Sequence, residues 1–97
     1  MQTIKRIEIV VDAVQLDRMI GLIEKAGASG YTIIKDVAGQ GHRGTRGADQ
    51  PTDVLRNVMI IVAADVETTQ KIADALRPLL KRFGGVCLVS DAQWLIH

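Results

Sequence analysis

Val58–Ala64 reads VMIIVAA, seven apolar positions without the polar alternation of a strand that has one wet face. Its β-branched content favours extended backbone, and an unbroken apolar run of this length suits a strand covered on both sides. Asp65 follows at once as a helix N-cap, with Glu67 in the first turn where a carboxylate suits the helix dipole. Ile72, Ala73, Leu76 and Leu80 then recur at helical spacing and mark a buried face. Pro78 has no N–H to donate, so a kink or break is expected there. Gly84-Gly85 stops this second helix, because glycine is the usual residue just past a helix end. Val86–Val89 (VCLV) reads as a fourth strand, and the tail Ala92–Ile96 is apolar enough to dock on the fold.

Working back from that strand, Thr3–Val11 alternates, with Ile7, Ile9 and Val11 on one face. Asp12 looks like an N-cap with Gln15 completing a capping box. Leu16, Met19, Ile20 and Ile23 form the apolar stripe of a first helix, and Gly27 marks its end. Ala28-Ser29-Gly30 is a turn into a second strand, Tyr31–Val37. A loop over about residues 39–54 separates it from Val58. The order is therefore βαββαβ, a single α+β domain over residues 1–97. It is the ferredoxin-like arrangement, a four-stranded antiparallel sheet with two helices on one face. The opposite face is bare in that layout, and a strand apolar on both sides would leave Val, Met or Ile in water. Such patches mark interfaces, so a homo-oligomer is expected.

Composition narrows the function classes. The chain has 97 residues, 47% hydrophobic and 24% charged, as expected of a globular domain. Only 3% are aromatic, so the core must be aliphatic. A formal charge of +1 does not favour a nucleic-acid surface. Lys5, Arg6 and Glu8 interrupt the first apolar run, which argues against a signal peptide, and no window is long enough to insert in a membrane. The expected location is cytoplasmic. A single cysteine, Cys87, excludes an internal disulfide and reads as a small core residue. Met19, Met59 and Trp94 read as packing residues.

The loop carries the chemistry. Gly39–Gly47, GQGHRGTRG, holds four glycines, one histidine and two arginines. In G-x-G-x-R-x-x-R, Gly39 to Arg46, glycine backbone N–H groups can approach a ligand closely while guanidinium groups meet an anion. The stretch lacks the Gly-Lys-Ser/Thr ending of a P-loop, and no helix follows it directly. From these residues alone, an anion site and a solvated hairpin tip are both open. No enzyme constellation is evident. Asp12 and Asp65 are better used as caps than as paired catalytic carboxylates. His42 and His97 lie far apart and Cys87 is in a strand, so no metal-ligand spacing occurs. A lone loop histidine such as His42 is read as solvated.

Several segments in sequence order resemble the PII-type signalling proteins across nearly the whole chain. They are LDRM (16–19) at the first helix, GASGYT (27–32) at the entry to strand two, the G-x-G-x-R loop base, the long loop, and GGVCLV (84–89). The loop with Arg43 and Arg46 is most similar to the PII-like branch linked to bicarbonate transport and carboxysomes. The resemblance implies a homotrimer whose sheets pack inward and bind adenine nucleotide in clefts between subunits. By carry-over, Gly39, Gln40, Gly41, Arg43 and Arg46 would contact the nucleotide or its phosphates. Gly84 and Gly85 would close over the phosphates, and Val62 and Ala63 would border the base. The loop would change conformation with ligand and present its state to a protein partner, such as a bicarbonate transporter or a carboxysome component.

Departures from the family pattern sharpen this. Val86 stands where the signalling PII proteins have a phosphate-binding lysine, and the sequence stops at His97, short of their arginine-bearing tail. The loop has no tyrosine for their regulatory modification. Fewer triphosphate contacts favour ADP or AMP over ATP as the ligand, and the branch resemblance adds bicarbonate at the loop base. No obligatory cofactor and no catalysis are implied. The competing expectation is another βαββαβ binding module, an amino-acid sensor or a trimeric metal-tolerance protein.

Overall fold

In the computed structural model, residues 1–38, 40–41, 44–45 and 56–96 are described, with backbone alone for 40, 41, 44 and 45. The elements in chain order are β1 (Gln2–Asp12), α1 (Leu16–Lys25), β2 (Thr32–Val37), β3 (Gln40–Gly41), β4 (Gly44–Thr45), β5 (Asn57–Ala64), α2 (Val66–Phe83) and β6 (Val86–Trp94). β2, β5, β1 and β6 lie side by side in one antiparallel sheet in that order, and β3 pairs with β4 in a small ladder of its own. The ferredoxin-like α+β reading therefore holds.

Strand parity decides the layers. Ile7, Ile9 and Val11 of β1 and Val58, Ile60, Val62 and Ala64 of β5 point to one face, where they meet Met19 and Ile23 of α1 and Ile72 and Leu76 of α2. The intervening residues Met59, Ile61 and Ala63 turn to the opposite face, which explains why VMIIVAA shows no alternation. On that opposite face Ile34 is 44% exposed, Val86 52% and Leu88 62%.

The helix ends follow the sequence in most respects. The N–H groups of Gly27 and Ala28 donate to Glu24 and Ile23 carbonyls, and Gly27 adopts φ +105°, closing α1 with a Schellman motif. The Asp65 carboxylate accepts from the Thr68 N–H at 2.7 Å and caps α2. The expected Asp12–Gln15 capping box does not form. Asp12 instead caps a 3-10 turn, Ala13–Gln15, by accepting from the Val14 N–H at 3.0 Å, and α1 starts after it without a side-chain cap. The expected break at Pro78 is also absent, since α2 runs through it to Phe83. Pro78 and Asp74 both lie on the exposed side, where water can satisfy the Asp74 carbonyl that the proline ring leaves without its helical donor.

The fourth strand is longer than its apolar run. β6 continues through Ser90, Asp91 and Gln93 to Trp94, because β1 pairs with it residue by residue as far as Gln2, and the Lys5 ammonium pairs with the Asp91 carboxylate across the ladder. The expectation that the whole tail docks is corrected accordingly. Ala92–Trp94 are held by the sheet, but Leu95 is 78% and Ile96 82% exposed.

Candidate functional site

Strand register sorts the sequence candidates between the two ends of the sheet. Ala63 sits opposite Arg6, Ile61 opposite Thr32, and Ala92 opposite Ile4. The turn after α1 arrives at the same end. Together they enclose a cavity of about 390 Å³ lined by Ile4, Arg6, Ser29, Thr32, Ala63 and Trp94, among others. A second cavity of about 190 Å³ adjoins it and shares Ile4, Ser29, Ala63 and Trp94, adding Gly27, Asp65 and Thr68 at the start of α2. The larger volume is of the order that suits a small ligand. Ala63 presents its small side chain here. Val62 lines the cavity too, but its side chain is fully buried in the core, which leaves mainly its backbone on that side.

The other candidates lie at the opposite end. Val10 pairs with Val86, Asp12 with Asn57, and Val37 with Asn57. Gly84-Gly85 and the exit of β2 toward Gln40 and Gly41 therefore share this end, about 14 Å along β1 from Arg6 at ~3.4 Å per residue. They also sit on opposite edges, since β6 and β2 are the outer strands, three strand spacings or about 14 Å apart. A single protomer thus brings Val62 and Ala63 together and Gly84 and Gly85 together. It does not join either pair to the other or to the loop base. Gln40 and Gly41 pair with Thr45 and Gly44, while Gly39, Arg43 and Arg46, like His42 and His97, lie outside the described residues.

The glycine pair has a structural reason of its own. Gly84 caps α2 at φ +83°, its N–H donating to the Leu80 carbonyl at 2.9 Å. Gly85 adopts φ +118°, and a Cβ there would stand 2.8 Å from the Val10 carbonyl oxygen. No side chain fits.

Two arginines gather beside the glycine pair. The Arg18 and Arg82 guanidinium groups lie 5.2 and 5.0 Å from the centroid of the Phe83 ring, next to Gly84. Below the loop, Asp36 takes φ +59° at a bulge in β2, and its carboxylate lies 3.8 Å from Arg56 Nε. At the cavity end, Arg6 pairs with Glu8 at 3.0 Å. Burial pushes the Cys87 thiol up, away from the thiolate that nucleophilic chemistry requires. Among the described residues no three His, Cys, Asp or Glu side chains gather to hold a metal. No described helix is long and apolar enough to cross a membrane.

Sequence reasoning missed Ser29, Arg6 and Trp94 as cavity residues and Arg18 and Arg82 as neighbours of the glycine pair. In sequence, Ser29 reads as turn chemistry and Trp94 as packing. Trp94 stands opposite Gln2 and Ala63 opposite Arg6, four residues apart along β1, yet both line the two cavities, and no local pattern carries that information.

Against known proteins, residues 4–95 match the family model described as nitrogen regulatory protein P-II. The chain belongs to the P-II family. Among solved structures, it is similar to CPII, a nitrogen regulatory PII-like protein from Thiomonas intermedia K12 bound to ADP, AMP and bicarbonate. The two share 27% identity over 95% of this chain and 88% of that one, with a TM-score of 0.84. The same protein bound to ADP and bicarbonate matches with a TM-score of 0.82, at 27% identity over 95% and 88% of the two chains. A PII-like signalling protein from Thermus thermophilus shares the fold at TM-score 0.75, with 23% identity over 94% of this chain and 88% of that one.

Proposed function

We propose that this P-II family member is a cytoplasmic regulatory homotrimer that binds an adenine nucleotide, ADP or AMP in preference to ATP, in clefts between subunits. Gly39, Gln40, Gly41, Arg43 and Arg46 of the loop meet the phosphates on one side, and Gly84 and Gly85 close on the other. Val62 and Ala63 border the base. Bicarbonate binds at the loop base and is coupled to nucleotide binding. The loop then presents the occupied state to a protein partner in inorganic carbon metabolism, such as a bicarbonate transporter or carboxysome component. The role is regulatory, not catalytic.

The observation that carries this reading is the separation of the candidates within one protomer. Loop base and glycine pair emerge at the same end of the sheet but from opposite edges, about 14 Å apart, so a second copy is the simplest way to set them facing each other. The exposed apolar residues Ile34, Val86 and Leu88 give that copy a surface to cover. The likeness to CPII, solved with ADP, AMP and bicarbonate, supports the choice of ligands.

Thermal denaturation with and without nucleotide tests the reading, alongside sedimentation to fix the mass of the assembly. ADP or AMP should raise the Tm of a trimer, and the double variant Arg43→Ala, Arg46→Ala should lose the shift while sedimenting unchanged. A monomer, or a Tm indifferent to every adenine nucleotide with and without bicarbonate, would overturn it.

A further inference from the structure

The two adjoining cavities meet at Trp94, which lies at the end of β6 and lines both together with Ile4, Ser29 and Ala63. Its partial burial and the small Ala63 side chain leave an aromatic wall beside open volume. We propose that Trp94 is the stacking wall for the nucleotide base and sets the affinity of this cavity for purine rings. The proposal rests on the reading of this cavity as the base end of the nucleotide site.

Three features favour a base here over a phosphate. The larger cavity is walled mainly by apolar groups, Ile4, Ala63 and the indole among them, which suits a flat heteroaromatic ring. Its guanidinium, Arg6, is already paired with Glu8 at 3.0 Å. The smaller cavity is lined by Asp65, whose carboxylate disfavours a phosphate, and by Ser29 and Thr68, whose hydroxyls can meet ribose hydroxyls. Stacking on an aromatic side chain is tolerant of base identity, so the wall supplies affinity while polar groups supply selection.

Trp94 is the single tryptophan of the chain, so its fluorescence reports this site alone. The experiment follows intrinsic fluorescence and calorimetry in parallel as AMP and ADP are titrated into the assembled protein, then repeats the calorimetry on Trp94→Phe and Trp94→Leu. Saturable quenching at the calorimetric Kd is expected. Trp94→Leu should weaken binding by roughly ten- to a hundredfold, and Trp94→Phe should restore it to within about threefold of the parent. Nucleotide binding with unchanged fluorescence, or with equal Kd in Trp94→Leu, overturns the assignment of Trp94 and leaves the nucleotide reading standing. No binding by calorimetry to the unsubstituted protein overturns both.

Discussion

Replacing Gly85 with alanine should destabilise the protein severely, with or without ligand. The residue holds φ +118°, a conformation that L side chains rarely adopt. An added Cβ would stand 2.8 Å from the Val10 carbonyl oxygen, 2.9 Å from Val11 Cγ1 and 3.1 Å from Leu80 Cδ2. The Leu80 methyl can rotate away. The Val10 carbonyl cannot, because β1 is an inner strand paired on both sides with β5 and β6. Backbone strain of this kind costs about 1–3 kcal/mol. Overpacking a close-fitted contact adds about 1–3 kcal/mol. The sum centres near 4 kcal/mol, which for a domain of this size lowers Tm by roughly 15 °C or more. Scanning calorimetry of nucleotide-free protein at fixed protomer concentration reads this directly. Gly30→Ala is the control, since no described residue lies within 4 Å of its added methyl, and it should stay within about 0.5 kcal/mol of the parent. A Gly85→Ala protein melting within about 2 °C of the parent would refute the reasoning and return Gly85 to a purely ligand-binding role.

Other substitutions probe the helices and the α2 cap. Gly21 lies on the exposed side of α1, and a methyl added there would meet no described residue within 4 Å, so Gly21→Ala should stabilise by about 0.5–1 kcal/mol in urea titration. Among the described residues the Thr69 hydroxyl oxygen, buried in α2, has no hydrogen-bond partner, so Thr69→Val, which keeps the branched shape, should raise stability by about 1 kcal/mol in the same assay. The Asp65 carboxyl is held below its ordinary value of 3.8 by the Thr68 N–H and hydroxyl. Its stabilising contribution is therefore complete above that value and fades as pH falls through the lower folded-state pKa. A Tm series carried down to about pH 2 should show a shallower loss in Asp65→Asn than in the parent over that window; parallel curves would contradict the cap.

The fold was legible because each element carried its own punctuation. VMIIVAA, the Asp65 cap and the glycines at 27 and 84 bound β5, α2 and the helix ends without reference to anything distant. What escaped depended on partners far away in sequence. Ser90, Asp91 and Gln93 do not resemble a strand until β1 is laid beside them and Lys5 meets Asp91. Pro78 signals a break that solvent on its side of α2 makes unnecessary. At the site, the glycine pair was visible, and the structure adds that packing against Val10 alone excludes a side chain at Gly85. Trp94 reads locally as packing, since the cavities it shares with Ala63 exist only once distant strands and the turn after α1 assemble at that end of the sheet.

In the proposed function these separated groups form one nucleotide site when subunits assemble. Calorimetric titration of ADP and of AMP into the assembled protein, each with and without bicarbonate, tests it most directly. Saturable binding at one nucleotide per protomer is expected, with an affinity that bicarbonate shifts. Absence of binding heat for every adenine nucleotide, with bicarbonate present and with it absent, would contradict it.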